Sequence, residues 1–254
     1  MFPLKDENPT ELTPFVTVAI IAANVLIWLF VQNAGTGERF MESLCAYGAI
    51  PGEISGRLAP GTELPLGEGY CRAGGLAAGA LFSSMFLHGG WMHLIGNMWF
   101  LWVFGNNIED SMGHARFVIF YVLTGLLAAG AHVVTSLSSG IPMVGASGAI
   151  SGIMGAYIVL YPKVRVQTLI VLVFFIRVVA LPAAAVLGLW FAIQLWQGAF
   201  AGSSAGGGVA FWAHVGGFVA GVGLIKLFQR RKLVAAKLQK RTLSRGELNR
   251  WDRW

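Results

Sequence analysis

Four polar side chains sit in stretches that are otherwise apolar: His93 and Asn97, four residues apart, Ser147 in the run GASGAISG, and His214 in AHVGG. His88 lies just ahead of the first pair. Ionisable and amide groups at membrane depth are costly, so each one kept there points toward function. A serine hydroxyl is a weak nucleophile until a base such as histidine takes its proton. His93 and Asn97 share one helical face, and both carry donors of the type that hold the oxyanion of an acyl-transfer intermediate. Backbone N–H groups at Ala146 and Ser147, where a helix begins, add to them, since a helix N-terminus favours negative charge. The chemistry indicated is that of a serine hydrolase, with Ser147 as nucleophile, His214 as general base, and His93, Asn97 and the Ala146–Ser147 backbone as oxyanion donors.

Each of these residues also has a plainer reading. Serine is common where small residues let helices touch. A single core histidine can simply bond a carbonyl, and His93 with Asn97 can be an interhelical hydrogen-bond pair. The three together favour chemistry, because each stands near the start of a span that begins on the same side of the membrane. The acid of a Ser-His-Asp triad is missing: all twelve Asp and Glu residues fall in the tails, in the first loop, or near Glu109 and Asp110. The pattern is that of a dyad, since a triad is defined by its roles and has variants. Metal chemistry is disfavoured. His88 and His93 are five apart and diverge around a continuous helix, and the HExxH spacing of zinc proteases is absent. No metal and no cofactor is expected.

The elements that position these residues follow from composition. The 254 residues are 56% hydrophobic and only 12% charged, against about a quarter charged in soluble domains. The apolar blocks approach the roughly 20 residues that a spanning helix needs. The expected fold is an all-α polytopic membrane protein with six transmembrane helices. Spans are expected at Pro14–Val31, Trp91–Ile108, Phe117–Val134, from Ser147 to before Pro162, Leu181–Trp196 and Phe211–Phe228. Residues 1–13 form an N-terminal tail, 14–228 the membrane domain with a long first loop at 32–90, and 229–254 a basic tail. Within the first loop, Leu76–Phe86 is apolar enough to lie on or dip into the bilayer surface. Leu169–Ile176 is expected to be an interfacial or dipping segment. The first apolar run is read as a retained helix, not a signal peptide.

With six spans both termini share a side. About 15 of the 18 Lys and Arg residues fall on that side, whereas Arg39, Arg57 and Arg72 fall in the first loop. The positive-inside bias therefore makes both ends cytoplasmic, with the site opening to the external or periplasmic side of a cell membrane. The formal charge of +6 is concentrated at one end, where it suits an anionic leaflet. The lipid bilayer, not nucleic acid, is the partner it implies. The two cysteines, Cys45 and Cys71, both fall in the external first loop, where disulfides persist. A bridge between them is the expectation, and two thiols buried as small hydrophobes are the alternative.

Gly148 and Gly152 give the fourth span a GxxxG face, and Ala213, Gly217 and Gly221 give the sixth a small-xxx-small face. Such faces let backbones approach closely. Pairing them sets Ser147 and His214 at corresponding heights.

The stretches HGGWMHLIGN (His88–Asn97), GASG (Gly145–Gly148) and AHVGG with its following GxxxG (Ala213–Gly221) resemble the signatures of rhomboid family intramembrane serine proteases. GNNIEDSMG (Gly105–Gly113) is similar to that family's turn after the second span. The resemblance implies a six-helix core around a water-filled cavity, and cleavage of single-pass or polytopic membrane protein substrates in or near a transmembrane segment. By motif it implies Ser147 as nucleophile, His214 as base, and His93 and Asn97 at the oxyanion. Gly145 and Gly148 support the site and His88 stands near the cavity mouth. The aromatic fifth span would lie beside the route of substrate entry, and Glu109 would tie the cytoplasmic ends together, its plainer reading being a solvated helix-end acid. Two departures are visible: Ser151 replaces an aromatic that packs against the histidine in some members, and no Trp-Arg pair occurs in the first loop. Orientation of His214 would then fall to Trp212 or neighbouring glycines. The competing functional class is a catalytically silent rhomboid-like protein that binds membrane clients; such relatives lose the serine or the histidine, and this chain keeps both.

Overall fold

A computed structural model of the chain describes residues 1–66, 69–74, 77–172, 175–200 and 210–239. Strand β1 (Phe2–Asp6) precedes helix α1 (Phe15–Leu26), which widens into a π-helical turn over Ile27–Val31. The first loop is structured: α2 (Gly37–Tyr47), α3 (Pro51–Ile54), a hairpin of β2 (Glu63–Leu66) with β3 (Gly69–Arg72), and α4 (Ala80–Ser83). Helix α5 (Trp91–Phe100) continues through a π segment, Leu101–Gly105, into α6 (Asn106–Met112). After the turn at Gly113 come α7 (His114–Thr135) and α8 (Ser147–Leu160). The hairpin β4 (Arg165–Leu172) and β5 (Phe175–Pro182) leads into α9 (Ala183–Phe200), followed by α10 (Phe211–Phe228) and α11 (Arg231–Leu238).

Helices α7, α9 and α10 are each long and apolar enough to cross a membrane, and the apolar Phe15–Val31 and Ser147–Leu160 helices are shorter. Many of their large apolar side chains point outward, among them Phe30, Ile119, Val134, Trp196, Val219 and Leu227. An apolar exterior on this scale belongs against lipid. The chain is a mostly helical membrane protein.

At the centre of the bundle, α8 is buried between α7 and α10. A Cβ on Gly217 would stand 2.0 Å from the Gly148 carbonyl oxygen, and one on Gly221 would stand 1.9 Å from that of Gly152. Helices α8 and α10 therefore meet backbone to backbone. The glycines of α8 also open toward α7: a Cβ on Gly148 would lie 2.7 Å from that of Ala128, and one on Gly152 would lie 2.4 Å from that of Thr124. Small residues thus serve two seams of α8 at once, where the spacing alone pairs them with α10.

Two expectations are corrected here, and a third segment gains its secondary structure. The fold is not wholly α, because β1, β4 and β5 form an antiparallel sheet in that order. Within Leu169–Ile176, expected as an interfacial or dipping segment, the described residues belong to paired strands, with Val171 opposite Ile176. Its β-branched residues suit a pleated surface, and Val166 and Thr168, two apart, turn inward. A short continuous apolar run of this kind does not by itself distinguish strand from helix. Residues 1–13 are likewise not a free tail. Strand β1 pairs with β4, and the Pro3 carbonyl accepts a 2.7 Å bond from the Trp99 indole. Pro3 is tolerated because β1 is an edge strand. The stretch 201–208 and the basic tail from residue 240 lie outside the described residues.

The first loop packs over the α7–α8 connection. Ala49 pairs with Met143 in a β-bridge, and Ser55 donates a 2.6 Å bond to the Leu137 carbonyl. Cys45 on α2 and Cys71 on β3 are joined in a disulfide with their Cα atoms 5.2 Å apart. Cys71 sits in a small core with Ile50, Leu64 and Ala73.

Candidate active site

Ser147 opens α8 and His214 lies in the first turn of α10. The backbone seam between the two helices brings His214 Nε2 within 2.8 Å of Ser147 Oγ. Both side chains are half-buried. Gly145, two residues before the serine, has φ +129°, a conformation that L side chains rarely adopt. A Cβ there would also lie 2.7 Å from His93 Nε2. The GASG turn therefore needs its first glycine twice over, once for the backbone and once for the neighbouring imidazole.

His93 Nδ1 accepts a 3.3 Å bond from the Gly89 N–H. That leaves the ring proton on Nε2, the edge facing Gly145. One helical turn on, Asn97 is buried, and its Nδ2 donor has no hydrogen-bond partner among the described residues. An unmade buried hydrogen bond is costly and calls for an explanation. A cavity of about 700 Å³ supplies one: it is lined by His93, Asn97, Ser147 and His214, with Met154 and Trp190 among its apolar walls. The first N–H groups of α8 have no partner within the helix, so Ser147 contributes a backbone donor beside its own hydroxyl. Ala146 is fully buried at the cap of α8, and Gly148 packs tightly just beyond.

His88 is not at the cavity mouth, and this corrects the expectation. It is fully buried behind His93, with the two rings 5.2 Å apart. The Gln32 amide clamps its backbone, accepting from the His88 N–H and donating to its carbonyl, both at 2.8 Å. Among the described residues, no three His, Cys, Asp or Glu side chains are grouped as metal ligands would be.

What orients His214 is also different from expectation. Trp212 packs on Gly198 of α9 instead. Besides Ser147, two contacts to the imidazole come from α9: Gln194 Oε1 stands 2.6 Å from His214 Nδ1, and the Trp190 ring lies 5.8 Å from it. Ser151 is turned away and donates a 2.6 Å bond back to the Ser147 carbonyl. Gln194 is not among the site residues expected from the sequence. The signal was present, a buried amide in a helix of apolar residues, the same criterion that marks Asn97.

The other end of α8 carries a second polar cluster. Glu109, fully buried, accepts bonds from the Val16 and Thr17 N–H groups at 2.9 and 2.8 Å and from the Thr17 hydroxyl at 2.6 Å. It caps the N-terminus of α1, where orphan donors and the helix dipole favour a carboxylate. The reading of a solvated acid does not apply. Asp110 accepts from the Leu12 N–H at 2.8 Å and from Lys237 Nζ of α11 at 2.7 Å. Asp6 accepts from the Tyr157 hydroxyl at 2.6 Å and from Asn107 Nδ2 at 2.7 Å. Burial pushes the Asp6 carboxyl up to about 6, partly opposed by the Tyr157 hydroxyl and the Lys237 charge. Burial likewise lowers Lys237, against the pull of Asp110.

A family model described as the Rhomboid domain matches residues 77–231. Over 76 residues the chain is 38% identical to RHOMBOID-like protein 5 of Arabidopsis thaliana, which covers 30% of this chain and 25% of that protein. It is 27% identical over 166 residues to RHOMBOID-like protein 6, mitochondrial, of the same plant, covering 60% and 53% of the two chains. With Rhomboid protease GluP of Bacillus subtilis (strain 168) it shares 29% identity over 143 residues, covering 56% and 24%. The matched parts thus span about a quarter to a half of these relatives. The family match takes in more than half of the chain, from α4 to the start of α11, and with it Ser147, His214, His93 and Asn97; the chain belongs to the rhomboid family.

Proposed function

We propose that this protein is an intramembrane serine endopeptidase that cleaves peptide bonds in or near transmembrane segments of membrane proteins. The observation that carries the reading is the 2.8 Å contact between Ser147 Oγ and His214 Nε2 at the wall of a cavity. His214 removes the hydroxyl proton as Ser147 attacks the scissile carbonyl. The developing oxyanion meets the unspent Asn97 amide, the Nε2–H of His93 and the Ser147 backbone N–H. His214 then passes the proton to the leaving amine, and the same base activates the water that hydrolyses the acyl-enzyme.

The membrane arrangement belongs to this proposal. Six spans are formed by Phe15–Val31, by the continuous 91–112 stretch, and by α7, α8, α9 and α10. Helix α8, with 14 residues, reaches only about 21 Å at 1.5 Å per residue. Ser147 therefore begins below the surface, inside a water-filled recess. The Lys and Arg bias puts both termini in the cytoplasm. The Cys45–Cys71 disulfide supports an external first loop, since such bonds persist outside the reducing compartment. A client-binding role without catalysis would place no demand on the hydrogen-bonded serine–histidine pair.

The test is cleavage of a tagged single-pass substrate in proteoliposomes. Wild-type protein should release a fragment whose new terminus maps in or near the transmembrane segment, and Ser147→Ala should release none. Cleavage by Ser147→Ala at a rate near wild type would reject the reading.

A further inference from the structure

We propose that Gln194 is a positioning residue that completes a Ser147–His214–Gln194 array, taking with a neutral amide the place that a carboxylate takes in a triad. The inference rests on the protease reading above, and on a contact that reading does not require. Gln194 is 8% exposed, on a helix with no charged residue along its length. A glutamine at such a place carries a desolvation cost that needs a compensating bond, and its oxygen makes that bond to His214 Nδ1 at 2.6 Å.

The chemistry follows from the two ring nitrogens. For Nε2 to accept the Ser147 proton, the neutral imidazole must carry its own proton on Nδ1, and an acceptor at Nδ1 selects that tautomer. Gln194 Oε1 is such an acceptor. When His214 becomes an imidazolium, Nδ1 remains a donor and the same bond persists, so no group has to move during proton transfer. The ring is further held by Trp190, one helical turn before Gln194, so one face of α9 supplies both contacts. Among the described residues, the titratable groups facing His214 are His93 from α5 and His132 from α7, and no Asp or Glu occurs on α8, α9 or α10. The amide therefore fixes direction without supplying a negative charge. Replacing it with a carboxylate adds that charge at the same point.

Two variants and two readouts test this. Gln194→Leu removes the acceptor at similar volume and should lower kcat about 10–100-fold with little change in KM, part of what general acid–base catalysis contributes. Gln194→Glu keeps the acceptor and should retain activity, with the acidic limb of its pH–rate profile moved up by about one unit or more, as an opposite charge at this range requires. A residue that only packs α9 against α10 would lower thermal stability without moving that limb. The second readout is ¹⁵N NMR of histidine-labelled protein, which needs no turnover. His214 should be one tautomer protonated at Nδ1 in the wild type and a mixture in Gln194→Leu. An inactive wild type with His214 locked in that tautomer would reject the protease reading while leaving this one standing. An active wild type whose pH profile and tautomer are unchanged in both variants would overturn the role given to Gln194.

Discussion

The Gly148 carbonyl oxygen occupies the place that a side chain on Gly217 would need, 2.0 Å from an ideal Cβ. That one contact fixes the spacing of α8 and α10 and with it the 2.8 Å reach from His214 to Ser147. Because the obstacle is backbone, it cannot rotate aside. Gly217→Ala should therefore force the helices apart and destabilise the protein by about 1–3 kcal/mol, the usual cost of overpacking. It should also reduce cleavage more than thermal stability alone accounts for, since the dyad is stretched. Melting curves and cleavage rates of folded protein check both, and unchanged values in Gly217→Ala would mean that the seam is not tight.

Asn97 holds its amide toward the cavity with no partner among the described residues. Asn97→Ala should lower kcat roughly 10²–10³-fold, the usual loss for a missing oxyanion donor, and leave stability equal to or above wild type. A kcat within two-fold of wild type, measured against the same substrate, would remove Asn97 from the reaction.

Lys237 and Asp110 form an ion pair with side chains only 7% and 5% exposed. Removing one partner of a buried pair leaves an uncompensated charge at a cost of about 3–5 kcal/mol. Lys237→Met should therefore lower the melting temperature clearly, and Asp110→Asn added to it should restore part of the loss. If the double variant is as destabilised as the sum of the singles, the two side chains are not coupled.

Asp6 gives a pH signature. Its folded carboxyl is raised from 3.8 to about 6 by burial, so the native state holds a proton that the unfolded chain releases. Between about pH 4 and 6 the native state binds more protons, and stability must fall as pH rises across that window and then level off. The melting temperature of wild type minus that of Asp6→Asn should decline over this range. A difference that grows with pH would show that Asp6 is held as an anion.

The Cys45–Cys71 bridge closes a separation of 26 residues, worth about 3.5 kcal/mol in the chain-entropy model. Cys45→Ser should lose thermal stability and keep cleavage, because neither cysteine lines the cavity. Full alkylation of both cysteines in non-reduced wild-type protein would show that the bridge is absent.

Helix positions are legible because long apolar runs admit few readings: the helix expected at Phe211–Phe228 has those bounds in the structure. The serine and histidine stood out as polar groups in apolar surroundings. The β4–β5 hairpin did not, since a continuous apolar run carries no period to separate strand from helix. Its identity is decided by pairing with β1, a contact more than 150 residues away in sequence. An amide among apolar residues marks Gln194, but Gln197 on the same helix carries that mark equally, and only the approach of α9 to α10 aims Gln194 at His214. Lys237 reads as one more charge in a basic tail until α11 folds it against Asp110.

In the proposed reaction His214 activates Ser147. Detergent-solubilised protein treated with a fluorophosphonate probe and digested for peptide mass spectrometry tests this most directly. A single adduct on Ser147 is expected in the wild type, and its loss in folded His214→Ala. Absence of the adduct from wild-type Ser147, or undiminished labelling in His214→Ala, would contradict it.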